Sequence, residues 1–346
     1  MKPPPAVPRR SIGYIPTLDG LRAIAITLVI GLHARALDPA VPAVLANGYV
    51  GVLIFFALSG YLITTHLLRE YDATGRISIR NFYERRAFRI LPPAILYLAV
   101  LAALASSGII VCEWPSIRAA LFFYANYADH RWAVGHFWSL SVEEHFYLLW
   151  PALLIAFGVR RGWRTALILV VAVTLLRVLV DRYGFFSGLF QDIEHANYHS
   201  DLISDTILWG CALAFCLRRP VYTLGSVSSS VLAVAAAIVL LAPSSWNLNR
   251  MTSLMHIVPT ILLGAIVVAP NAPIGRFLEL PPVRYIGRLS YSLYLWQQLF
   301  LTGPGPHLPL PLALAAVFAC ALLSYQFVER PSIRLGRNLL ERRSVT

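Results

Sequence analysis

An all-α, polytopic transmembrane helical bundle is the fold class this sequence predicts, on three observations. Of 346 residues, 58% are hydrophobic and only 13% charged, against about 45–50% and about 25% in soluble domains. Mean hydropathy is +0.65. Ten apolar runs follow one another, at 17–37, 48–68, 90–111, 138–158, 165–183, 201–217, 222–242, 251–270, 289–302 and 311–328. A membrane-crossing helix needs about 20 residues, so about ten crossings fit. These figures exclude a soluble globular enzyme, a disordered chain and a repeat scaffold.

The charge pattern orients the runs. Net charge is +12, and every basic residue except Lys2 is arginine. The arginines sit between apolar runs and form no single stripe, so they mark cytoplasmic loops and not a nucleic-acid surface. With the N-terminus inside and all ten runs crossing, 23 of the 29 basic residues fall on the inner face, in the first 22 residues, 69–89, 160–164, 218–219, 271–288 and 330–346. Both termini are therefore expected in the cytoplasm, with 1–16 and 330–346 as tails of one domain spanning 1–346. The apolar stretch Ala119–Tyr127 is too short to cross and reads as a half-helix or interfacial segment, which survives only where protein or a water-filled cavity covers its backbone. The four cysteines lie in apolar stretches and read as small packing residues.

The first run opens with Pro16 and Thr17, a reasonable N-cap. Asp19 and Arg22 are three apart and can pair on one helix face. A removable leader has no need of Asp19, Arg22 and His33, so this run is expected to stay in the protein. His33 follows Arg22 by roughly three turns, about 16 Å further along that face. It reads either as a packed neutral histidine or as a functional imidazole. In the second run, Gly51, Ser59 and Gly60 allow close helix packing.

The 69–89 loop carries six arginines. On a helix Arg85, Arg86 and Arg89 form one basic face, suited to lipid headgroups or to the phosphates of a soluble ligand. The fourth run starts His136-Phe137-Trp138-Ser139-Leu140-Ser141-Val142-Glu143-Glu144-His145. Adjacent carboxylates point about 100° apart, so at most one of Glu143 and Glu144 aims squarely inward. Glu144 lies about 9 Å past Trp138, and His33 about 6 Å from the outer end of its own span. A His33–Glu144 pair in a dry cavity would make a general base; a helix cap is the plainer alternative. Further on, Asp201 and Asp205 at the start of a span, with His195 and His199 before them, suit helix capping better than a metal site. The Ser290–Trp296 stretch supplies hydroxyls and rings for a cavity. Glu329-Arg330-Pro331 reads as a helix-end ion pair.

Taken in this order, the clusters resemble the acyltransferase-3 family of integral membrane O-acyltransferases. The resemblance rests on Leu18–Ala23 with His33, Gly51–Leu62, Phe82–Pro92, Trp138–Tyr147, Tyr291–Trp296 and Glu329-Arg330-Pro331. His145 departs from it, since glutamine is commoner there. The match does not extend to the extracytoplasmic esterase-like domain that some members append.

The resemblance implies transfer of an acyl group, acetyl in the first instance, from acyl-CoA to a hydroxyl of a polysaccharide, glycolipid or macrolide. Acyl-CoA would be a donor substrate and not a resident cofactor, and no metal is expected. Its arginine–histidine pattern falls on Arg22 and His33, its second arginine pair on Arg86 and Arg89, and its acidic pair on Glu143 and Glu144. The expected roles are His33 as base with Glu144 and Glu143 in support, and Arg22, Arg85, Arg86 and Arg89 on the donor. Asp19, Trp138 and Ser139 are expected near the substrates. The expected setting is a multi-pass protein of the bacterial inner membrane, in contact with lipid and a carbohydrate or macrolide acceptor, with no nucleic-acid partner. A competing class, an ion-coupled transporter or flippase, also suits buried His, Arg and Glu. It commonly shows two related halves, whereas the charged clusters here fall mostly before residue 150.

Overall fold

The computed structural model describes residues 14–128, 132–183, 198–218, 226–241, 252–303 and 308–345. Among them there is helix and no strand. The α-helices are α1 Pro16–Leu37, α2 Gly48–Thr74, α3 Ile79–Ser106, α4 Trp114–Leu121, α5 Phe137–Phe157, α6 Gly162–Tyr183, α7 Ser200–Ile203, α8 Asp205–Leu217, α9 Ser226–Leu240, α10 Thr252–Val268, α11 Pro273–Leu278, α12 Pro281–Leu301, α13 Leu310–Ser324 and α14 Arg330–Val345. The described part of each apolar run is mainly helical, with 201–217 divided between α7 and α8. Among the described residues, six segments are long and apolar enough to cross a membrane: Pro16–Leu37, Ala43–Thr74, Ile79–Ser106, Phe137–Phe157, Val159–Val180 and Leu310–Arg343. The protein is thus a multi-pass membrane protein, with shorter apolar helices among the six.

Local chemistry sets several helix ends. Pro16 occupies the first turn of α1, where its missing N–H costs nothing. The expected cap Thr17 lies inside the helix instead; Ile15 is the N-cap residue and makes no side-chain cap bond. Ser78 caps α3 by accepting the Asn81 N–H at 3.3 Å. Gly75, at φ 73°, closes α2 in the left-handed region that a side chain would resist. The short run breaks as expected. Helix α4 stops at Leu121, and Phe123 turns the chain with φ 53°.

Two elements differ from the sequence reading. The ninth run, apolar only over 289–302, belongs to the 21-residue α12, because its first two turns carry Arg284 and Arg288, which hydropathy excludes. The stretch after 330, read as a tail, is the helix α14. It lies against α3, with Gly336 over the Phe88 ring and Arg343 paired to Glu84 at 2.7 Å. The residues before 14 lie outside the described part.

Helix α1 is held between α2 and α12, and α2 also packs along α8. Small residues make these contacts tight. A Cβ on Gly60 of α2 would stand 1.9 Å from the Ile207 carbonyl oxygen, and one on Gly287 of α12 would stand 1.7 Å from that of Asp19. Gly287 thereby brings α12 against the part of α1 that carries Asp19 and Arg22.

Candidate active site

Helices α1, α2, α3, α5 and α12, the turn at Tyr325–Glu329 and the start of α14 line a cavity of about 560 Å³. Its wall is unusually charged for the interior of a membrane bundle. Arg22, Arg69, Arg86, Arg89 and Arg288 line it, together with Asp19, Glu143, Glu144 and Glu329. Intramembrane charges are costly and are retained mainly for ligands or for one another.

The arginines divide into two kinds. Arg22 is held by Asp19 at 3.1 Å, and Asp19 also accepts from the Tyr14 hydroxyl. Arg69, Arg86, Arg89 and Arg288 have no carboxylate partner among the described residues. The Arg86 guanidinium lies 4.4 Å from the centroid of the Tyr147 ring, a cation–π contact that fixes its plane without neutralising it. Arg89, four residues from Arg85 and three from Arg86, is exposed as well as cavity-lining, so it stands where the cavity meets the surface. An excess of unpaired guanidinium suits a ligand rich in phosphate.

The two glutamates of α5 have different surroundings. Glu143 accepts from Ser59 at 3.0 Å and from Tyr147 at 2.6 Å, and Tyr147 also reaches Ser59 at 2.9 Å. Glu144 lines the same cavity, and no hydrogen bond reaches it from the described residues. Ser139, one turn earlier, meets the Tyr294 hydroxyl at 2.5 Å, and both face the cavity.

The structure separates the residues predicted from sequence. Arg22, Arg86, Arg89, Asp19, Ser139, Glu143 and Glu144 share the cavity. Arg85 does not; it is exposed and pairs with Glu70 at 3.3 Å. Trp138 packs against Phe56 and Tyr198, ring centroids 6.0 and 4.7 Å apart, outside the lining. His33 is half-buried, and its Nδ1 lies 2.5 Å from Gln297 Oε1. The expected His33–Glu144 pair is therefore not formed. His33 is not among the residues that line the cavity; α1 presents it to α12, which supplies Gln297 instead.

Glu329 also departs from its sequence reading. It does not pair with Arg330, whose guanidinium reaches Gln326 at 3.4 Å. A π-helical turn, Tyr325–Glu329, carries the Glu329 side chain inward, where Ser292 donates to it at 2.7 Å. Ser290, Tyr291 and Tyr294 line the cavity, in keeping with the hydroxyls expected from that stretch. Ser59, Tyr147, His66, Arg69 and Arg288 are the lining groups that sequence reasoning did not select. A hydroxyl or cation on the same helix face as an already chosen residue was the signal available for each.

Asp201 and Asp205 hold no metal cluster among the described residues. Asp205 is fully buried in an ion pair with Arg177 at 2.7 Å, and its other oxygen meets His256 at 2.5 Å. Stripping one partner from such a pair costs about 3–5 kcal/mol, so this cluster ties α6, α8 and α10 together. Asp201 accepts from Tyr127 at 3.0 Å, and burial together with that carboxylate pushes the Tyr127 phenol up to about 12. His195 lies outside the described residues.

Comparison with known proteins adds the lineage. The chain is 29% identical to a provisionally named O-acetyltransferase of Staphylococcus aureus strain MRSA252, over 97% of this chain and 60% of that protein. It is 29% identical to the peptidoglycan O-acetyltransferase OatA of Listeria monocytogenes, over 95% of this chain and 57% of that protein. The O-acetyltransferase OatA of S. aureus strain NCTC 8325 is likewise 29% identical, over 93% and 58%. The chain thus spans about three-fifths of the length of these curated relatives. No solved structure matches it. The profile of the acyltransferase domain matches residues 15–329, nearly the whole bundle and every cavity-lining group except Tyr14 and Ile333, and the chain belongs to the acyltransferase-3 family.

Proposed function

We propose that this protein transfers an acyl group, acetyl in the first instance, from acyl-CoA to a hydroxyl of a carbohydrate acceptor at the cell membrane. One observation carries the reading: a cavity with a mouth at Arg89, and with four arginines that have no carboxylate partner among the described residues, ends on carboxylates and hydroxyls inside the bundle. The family and the named activities of the relatives point the same way.

In this reading the basic residues face the cytosol, as the arginine distribution argues for ten crossings with both termini inside. Arg86 and Arg89 hold the phosphates of the donor, with Arg22 deeper on the same side. The thioester arm enters the bundle, where exclusion of water protects it from hydrolysis. His33 is the base. Its Nδ1–H is spent on Gln297, which leaves Nε2 as the free lone pair. His33 takes the acceptor's proton as the acceptor oxygen attacks the thioester carbon. The carbon–sulfur bond breaks, and the thiolate leaves with that proton. Glu144, unpaired in the cavity, offsets the imidazolium charge through space. Glu143 holds the Ser59–Tyr147 network that supports Arg86.

The test is direct. Purified protein with acetyl-labelled acetyl-CoA and an N-acetylglucosamine oligosaccharide should give an O-acetyl ester, seen as a 42-Da addition, about the mass of an acetyl group replacing a hydrogen. Movement of the sugar across a liposome membrane with no new ester would favour a transporter.

A further inference from the structure

His136 is the least explained group in the bundle. It immediately precedes α5 and is 4% exposed. Neither of its ring nitrogens has a hydrogen-bond partner among the described residues. A neutral imidazole carries one N–H donor and one acceptor, and burying both unmet is costly. Buried polar groups without protein partners commonly hold a water or a ligand.

The ring's surroundings fix where such a ligand would sit. Three aromatic side chains pack on it: Phe137, Tyr97 and Tyr294, with centroids at 4.9, 5.3 and 5.5 Å. Its backbone is pinned to the cavity wall. The His136 carbonyl accepts from Tyr294 at 3.1 Å and from Ser139 at 3.2 Å, and both hydroxyls line the cavity. His33 bonds to Gln297 of α12, one turn after Tyr294, whose hydroxyl donates to the His136 carbonyl. Trp296, whose indole N–H is also buried without a partner, packs edge-on to the same Tyr97 ring at 5.5 Å. Tyr97 itself adds no free hydroxyl, because it donates to the Ala133 carbonyl at 2.6 Å.

The geometry points to His136 as the residue that holds the acceptor hydroxyl, its ring N–H donating to the acceptor oxygen while His33 Nε2 receives the proton. This assignment rests on the proposed acyl transfer. It adds the acceptor side of the site: two imidazoles with separate duties, and for a second oxygen the buried indole N–H of Trp296, which packs on the same Tyr97 ring as His136. A polyhydroxylated acceptor supplies such neighbouring oxygens. The proton leaves the acceptor oxygen for His33, the oxygen bonds to the acyl carbon, and the thiolate departs with the proton; His136 gains and loses none.

The test compares wild type, His136→Phe and His136→Gln in lipid nanodiscs, with labelled acetyl-CoA as donor and an N-acetylglucosamine oligosaccharide as acceptor. His136→Phe should lower kcat/KM for the acceptor on the order of 10²-fold, the scale of lost orientation at a reacting group, with acetyl-CoA affinity unchanged. His136→Gln, which restores an N–H donor, should recover most of that loss. Should the phenylalanine not fit, His136→Ala takes its place, with the same expectation. Wild-type acceptor kinetics without the imidazole, or a loss that glutamine does not relieve, overturns the assignment. Normal turnover in the His136 variants beside a dead His33→Ala would remove only this assignment and leave the acyl transfer standing. A wild-type protein that forms no ester removes both.

Discussion

Replacing His33 with alanine should abolish ester formation while leaving a folded protein that binds acetyl-CoA normally. General-base catalysis contributes about 10²–10⁴-fold, and that is the loss expected for the imidazole proposed as the base. Its Nδ1 is occupied by Gln297 at 2.5 Å, so the ring's orientation and tautomer are fixed before any substrate arrives. Gln297→Leu should therefore cost part of the same rate, because the ring survives but loses its anchor. Rate assays under saturating donor, beside size-exclusion profiles and acetyl-CoA binding, check both variants. Turnover of the His33→Ala protein at more than about a tenth of the wild-type rate, far above the loss expected of a base, would remove His33 from the chemistry.

The second large effect concerns the donor. Arg86→Ala with Arg89→Ala should raise the Kd for acetyl-CoA by roughly 10–100-fold, or about 1.4–2.8 kcal/mol. Each lost charge-assisted contact is worth about 1.5–3 kcal/mol, but Arg89 is exposed, and solvent screening reduces its share. The same affinity should weaken with rising salt, more in wild type than in the double variant. Arg85→Ala is the control. Its guanidinium pairs with Glu70 outside the cavity, so donor affinity should change by less than about twofold, the scale of an exposed ion pair. Isothermal titration of wild type and the two variants reads all of this. An Arg85 effect as large as that of the double variant would mean a general loss of basic surface and not a phosphate clamp.

The contrast between Arg85 and its neighbours shows what a single sequence conveys. Helix periodicity put Arg85, Arg86 and Arg89 on one basic face, and helix α3 does run through all three. Which part of that face meets a cavity depends on the helices packed around it, and nothing local encodes those. The spans themselves were legible because hydropathy is a local, additive property. Its limits show in the same way. The reading shortened α12 and took α14 for a tail, since Arg284, Arg288 and the arginines of α14 lower the average without breaking a helix.

Site partners were the least legible part. Glu143 and Ser59 are 84 positions apart, and His33 and Gln297 are 264 apart. Depth arithmetic brought His33 and Glu144 to a common level, but it carried no information on the rotation of α1 about its axis. Glu329 was misjudged for a related reason. An acidic residue at the end of an apolar run reads as a terminal ion pair, whereas the π-helical turn re-aims it into the bundle toward Ser292. The residues that mattered were nearly all visible as polar groups in apolar surroundings. What the sequence withheld was their pairing.

In the proposed reaction the donor enters on the cytosolic side, where the arginines lie, and the carbohydrate acceptor comes from the opposite face of the membrane. Proteoliposomes of sorted orientation test it most directly, with labelled acetyl-CoA confined to one side and an impermeant N-acetylglucosamine oligosaccharide to the other. Ester should appear only when acetyl-CoA is on the side carrying the α14 terminus and the glycan is on the opposite side. Ester formed with both substrates confined to the same side, at a rate independent of the other compartment, would contradict it.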